Sequence, residues 1–112
     1  MRSARVRLED IGEAIRGIEA TLAGADLASF AASWTMQRAV ERGLEIISEA
    51  SRGISEQSKL AHPDVPWAQI ASIGNILRHE YHRVEPVIVW NITVDHLPAL
   101  AAVVARLLEA EI

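Results

Sequence analysis

The stretch that decides the reading is Asn75-Ile-Leu-Arg-His-Glu-Tyr81, inside the longer segment from Trp67 to His82. At about 100° of rotation per residue, Asn75, Arg78, His79 and His82 fall at i, i+3, i+4 and i+7, while Ile70, Ile73, Leu77 and Tyr81 fill a separate apolar stripe. One helix over residues 67–82 therefore has a face for a core and a face carrying an amide, a guanidinium and two imidazoles. Pro66 suits the helix start because its missing amide hydrogen is not needed in the first turn, and Asp64 is placed to cap it.

Working outward, the same period recurs on both sides. Leu8, Ile11, Ile15, Ile18 and Leu22 predict an amphipathic helix over about residues 7–23, ending near Gly24. Asp26 stands as the cap of a second, longer helix, in which Leu27, Phe30, Ala31, Trp34, Met36, Val40, Leu44 and Ile47 cover more than one face on the way to Ser51. Residues 51–66 lose the period and read as a polar loop, with room for a helical extension of the second helix. Beyond Pro86 the run Val87-Ile-Val-Trp-Asn-Ile92 has strand propensity, but a lone strand among helices has no pairing partner, so a short helix is expected there. Asp95 would then cap a final helix through Leu97, Leu100, Val103, Val104, Leu107 and Leu108. The expected architecture is an all-α antiparallel bundle of four main helices plus a short one, as a single domain over residues 1–112.

Composition sets the outer limits. Half the residues are hydrophobic and 23% are charged, which fits an ordered globular chain. No apolar run of about 20 residues is evident for crossing a membrane, and residues 1–10 lack the apolar centre of a signal peptide, so a cytoplasmic location is expected. Cysteine is absent, so no disulfide contributes. The formal net charge of −4 argues against broad adhesion to nucleic acid. Any RNA contact has to be local, built on Arg78, His79, His82 and Arg83.

The chemistry of that local site follows from its residue types. An imidazole both accepts and donates a proton near neutrality, so His79 suits a general acid/base; Asn75, one turn earlier, can orient it. Arg78 and Arg83 offer planar guanidinium forks for a phosphate that gains charge in a transition state. Together they suit metal-independent RNA cleavage in which a 2′-hydroxyl attacks the adjacent phosphate. A zinc site is not expected, because there is no cysteine and His79 and His82 share their stripe with no carboxylate but Glu85. The bland alternative is a solvated Arg-His face. Similarly, Arg38, Glu41, Arg42 and Glu45 read most simply as exposed ion pairs, each worth about 0.3–0.5 kcal/mol, with Arg38 or Arg42 as a second basic wall in the less economical reading. His62 and His96 read as loop and cap residues.

The wording of Val65-Pro-Trp67, Ile73-Gly-Asn-Ile-Leu-Arg-His-Glu-Tyr81, Val89-Trp90 and Leu97-Pro-Ala-Leu100 resembles the HepT-like (DUF86) branch of the HEPN superfamily, in the family's order and with similar gaps. The resemblance implies a symmetric homodimer of helical bundles with the motif helices lining one cleft. It implies a metal-independent endoribonuclease toxin, without cofactor, acting on RNA. Its partner would be an MntA-like nucleotidyltransferase antitoxin that neutralises it by binding or by AMPylation of the tyrosine in the His-x-Tyr element. Carried over, His79 matches the catalytic histidine and Tyr81 the modifiable tyrosine. The chain departs from the motif at Gly74, where the family has an arginine before the asparagine; Arg78 is the arginine inside the helix here. That departure leaves a second class open, a non-catalytic helical partner of a nucleotidyltransferase. The small residues Ala71, Ser72 and Gly74 are expected to admit another helix, as a dimer would need.

Overall fold

The computed structural model describes residues 3–80, 82 and 84–111. Among the described residues six α-helices follow in order: α1 (Ala4–Leu22), α2 (Leu27–Ala31), α3 (Trp34–Ser51), α4 (Glu56–Ala61), α5 (Trp67–His79) and α6 (Pro86–Ala110). The four long ones, α1, α3, α5 and α6, are the all-α bundle the periodicity predicts. No strand occurs among the described residues.

α1 starts where the Ser3 hydroxyl accepts the Val6 amide and stops at Leu22, with Gly24 turning the chain in the left-handed region at φ +76°. It buries Leu8, Ile11, Ile15 and Ile18 against α3 and α6. α3 answers with Val40, Leu44 and Ile47, the first of which, like Ile11 and Phe30, has no exposed surface. Each such side chain contributes about 1.5–3 kcal/mol of burial.

The second helix is not continuous. It breaks at Ala32 and Ser33 because the backbone has better partners there. Asp26 and Ser29 form a capping box at the start of α2, and the Ser33 hydroxyl accepts the Met36 amide to begin α3. The Gln37 side chain donates to the Phe30 and Ala31 carbonyls at 3.1 and 3.0 Å, satisfying the end of α2 from seven residues downstream. The turn this makes leaves Trp34, expected in the core, 70% exposed under the Arg38 guanidinium. Phe30 instead goes inward and meets Trp90 of α6 with ring centroids 5.6 Å apart.

Further expectations are corrected. The 51–66 segment contains α4, a separate helix capped by Ser55, rather than a loop or an extension of α3. Asp64 does not cap α5; Pro66 holds that position with no side-chain hydrogen bond, and the Trp67 indole instead donates to the His62 carbonyl at 3.0 Å, tying α5 to the end of α4. Residues 86–110 form one helix of 25 residues, so Asp95 lies inside it and is no cap. The helix begins at Pro86, which needs no amide partner in the first turn, and carries Pro98 at an exposed position in its interior. At about 1.5 Å per residue it is about 37 Å long, close to the 41 Å long axis of the molecule. Because it is continuous, α6 is long and apolar enough to cross a membrane by length and composition, contrary to the expectation that no segment is. Here it is a core helix, burying Val89, Thr93, Leu97, Leu100, Val103 and Val104.

Candidate active site on the fifth helix

α5 ends at His79, earlier than the expected His82, with Glu80 as its C-cap donating its amide to the Ile76 carbonyl. Ile70, Ile73 and Leu77 are buried, and Asn75, Arg78 and His79 are exposed, so the two stripes read from the sequence are the two faces observed. Arg78 and His79 occupy the last turn, where the carbonyl ends of the helix favour positive charge. His82 is exposed beyond the helix end rather than on its stripe. Tyr81 and Arg83, expected as the modifiable tyrosine and an RNA-binding residue, lie outside the described residues. Among the described residues, no hydrogen bond joins Asn75 to His79.

What seats this helix is a polar junction with α3. The Ser48 hydroxyl donates to the Ala71 carbonyl at 2.9 Å and accepts the Gly74 amide at 3.1 Å. Arg52 Nη2 donates to the same Ala71 carbonyl at 2.9 Å. The junction works because residue 74 has no side chain: a Cβ there would come 2.8 Å from Ser48 Oγ and 3.0 Å from Ser48 Cβ. The same hypothetical Cβ would lie 3.4 Å from Arg78 Nη1. Arg78 thus reaches back one turn towards the space that Gly74 leaves open. Gly74 itself is buried against α3 within this chain, so its smallness serves intramolecular packing.

The other basic candidates are elsewhere. Arg38 pairs with Glu41 at 2.9 Å and Arg42 with Glu45 at 3.6 Å, as the ion-pair reading of that stripe has it. The arginine of the α3 end that touches the motif helix is Arg52, which sequence reasoning missed; no periodicity marks a contact spanning nineteen residues. Beside the site, a cleft of about 470 Å³ opens between α5 and α6, walled by Ile76, Ile88 and Ile92, floored by Ile47, with Glu80 and His96 on its lining. Among the described residues, no group of three or more His, Asp or Glu side chains is arranged to hold a metal ion.

The described residues thus form an all-α bundle in which one helix, backed by the core, exposes Asn75, Arg78 and His79. Residues 11–107 match the model of the family described as "Ribonuclease HepT-like". The chain is 37% identical over 99 residues to a Thermococcus cleftensis protein named "Probable ribonuclease HepT", covering 88% of this chain and 90% of that one. It is 31% identical over 111 residues, 99% of each chain, to a Caldanaerobacter subterraneus protein named "Putative RNase TTE0752". A Methanocaldococcus jannaschii protein named "Putative RNase MJ1380" is 31% identical over 99 residues, 88% of this chain and 91% of that one. No solved structure matches the chain. The chain belongs to the HepT-like ribonuclease family.

Proposed function

We propose that this chain is a metal-independent endoribonuclease, the toxin of a two-gene toxin–antitoxin system. The observation that carries the reading is the exposed set Asn75, Arg78 and His79 on a helix held to α3 by Ser48. In the reaction, His79 removes the proton from a ribose 2′-hydroxyl as that oxygen attacks the adjacent phosphorus. The bond from phosphorus to the 5′-oxygen breaks, and that oxygen takes a proton to leave as a 5′-hydroxyl. The other product ends in a 2′,3′-cyclic phosphate. Arg78 holds the phosphate oxygens as charge builds on them, and Asn75 orients substrate or imidazole.

The working unit is a homodimer in the cytoplasm. Support comes from the apolar residues Val87, Ile88 and Val94, exposed on the first half of α6, and from the cleft between α5 and α6 next to the site. The antitoxin is an MntA-like nucleotidyltransferase, which binds the toxin or transfers AMP to Tyr81. In the transfer the tyrosine oxygen attacks the α-phosphorus of ATP and pyrophosphate leaves. The bulky anion, added three residues after Arg78 in the sequence, then blocks RNA by shape and charge.

The decisive experiment is incubation of the purified protein with single-stranded RNA in EDTA. Fragments with cyclic phosphate ends, reduced about 10²–10⁴-fold in His79→Ala, are expected. Absence of cleavage at high protein concentration would favour the second reading that Gly74 raises, a non-catalytic partner of the nucleotidyltransferase. Mass measurement tests the dimer, and intact mass after co-expression with the transferase tests Tyr81, with the AMP adduct missing from Tyr81→Phe.

A further inference from the structure

We propose that Arg52 is a second phosphate-binding residue of this site, acting beside Arg78 on the RNA backbone; the proposal rests on the ribonuclease reading above. Four observations support it. The Arg52 guanidinium is anchored on the motif helix, through Nη2 to the Ala71 carbonyl. Ala71 lies one turn before Asn75 and within about 60° of Gly74, Asn75 and Arg78 around the axis, so the contact falls on the side of α5 that carries the site. Hydrogen bonds run from Arg52 Nη2 to the Ala71 carbonyl, from there to Ser48 Oγ and on to the Gly74 amide, and Arg78 Nη1 stands at the edge of the space that the missing Gly74 side chain leaves. Two guanidinium groups, one from the end of α3 and one from α5, therefore lie along the same side of the motif helix.

The fourth observation is charge. Arg5, Arg38 and Arg42 are each paired with a carboxylate on their own helix, at 3.8, 2.9 and 3.6 Å. Arg52 is exposed, and among the described residues its partner is a neutral carbonyl, with no carboxylate paired to it. A guanidinium carries five N–H donors, so one bond to Ala71 fixes the fork and leaves donors for an anion. In a chain of net charge −4, an arginine held against the motif helix without an acidic partner adds positive charge to the side of α5 that carries Arg78. The ligand this suits is a phosphodiester of single-stranded RNA one position from the bond being cut.

The test measures binding and turnover separately. A single-stranded RNA with 2′-O-methyl riboses, which cannot be cleaved, is titrated by fluorescence anisotropy from low to moderate salt. Arg52→Ala is expected to weaken binding about ten-fold and to flatten the dependence of log affinity on log salt by about 0.7, the value for one lost contact on a single strand. Arg38→Ala removes the same charge from an ion-paired position and is expected to keep the wild-type slope. Arg52→Lys is expected to recover the slope and part of the affinity. On cleavable RNA, Arg52→Ala should raise KM more than it lowers kcat. The proposal is overturned if Arg52→Ala keeps the wild-type slope, if Arg38→Ala flattens it equally, or if only kcat and thermal stability fall, which would make Arg52 a structural brace. Wild-type cleavage with an unchanged slope in Arg52→Ala sinks this inference alone, whereas a wild type that neither binds nor cuts RNA sinks the ribonuclease reading with it.

Discussion

α3 meets its two neighbours in different ways. Towards α1 the contact is apolar: Ile11, Ile15 and Ile18 are buried with Val40, Leu44 and Ile47, and Gly43 lies under the tip of Ile18. Towards α5 the apolar contact of Ile70, Ile73 and Leu77 is supplemented by Ser48 and Arg52, bonded to the Ala71 carbonyl and the Gly74 amide. Dispersion and burial are non-directional, so the first contact stabilises the bundle through area and packing alone. Hydrogen bonds are directional, so the second contributes less energy but fixes the height and rotation of α5. A helix that only holds the bundle together needs the first kind of contact, and a helix that presents a site needs the second.

The contrast is open to attack by mutation. Ile11→Ala, at a position with no exposed surface, should cost about 2–5 kcal/mol in urea unfolding; a loss under about 1 kcal/mol would mean that the α1 side is not the anchor. The two glycines sharpen the point. Gly74→Ala should cost about 1–3 kcal/mol, because its Cβ meets Ser48 rather than a movable side-chain tip. Gly43→Ala should cost less, since the Ile18 Cγ1 and Cδ1 that its Cβ meets at 2.7 Å belong to a side chain that can change rotamer without losing a hydrogen bond. Equal losses at the two positions would erase the distinction. Ser48→Ala should cost about 1 kcal/mol for the bonds it makes, yet reduce RNA cleavage by more than that stability loss explains. An activity that follows stability alone would show that the junction does not set the site.

Much of this was legible in the sequence because it depends on local spacing. The three-and-four repeat of Leu8, Ile11, Ile15 and Ile18 located α1, and the division of α5 into Ile70, Ile73 and Leu77 against Asn75, Arg78 and His79 followed from rotation per residue. What was not legible depends on groups far apart in the chain. The break before α3 needs the Gln37 amide to reach back to Phe30 and Ala31. Asp95 looks like a cap only if the helix starts there, and Pro86 had already started it. Arg52 and Ser48 join the site through the backbone of a helix some twenty residues away, and a carbonyl oxygen has no signature in a sequence.

The continuity of α6 has a consequence for partitioning. A 25-residue helix with this hydropathy is one that a bilayer would accept by length. Near its midpoint, however, stands the exposed Asp95, three residues before Pro98. An aspartate at the centre of a spanning helix costs about 2.5–3.5 kcal/mol on insertion scales, so one carboxylate on the solvent face biases the newly made segment away from lipid and towards its place in the bundle. The same residue that fails as a helix cap therefore acts against insertion, and Asp95→Leu should shift a reporter fusion of residues 86–110 towards the membrane.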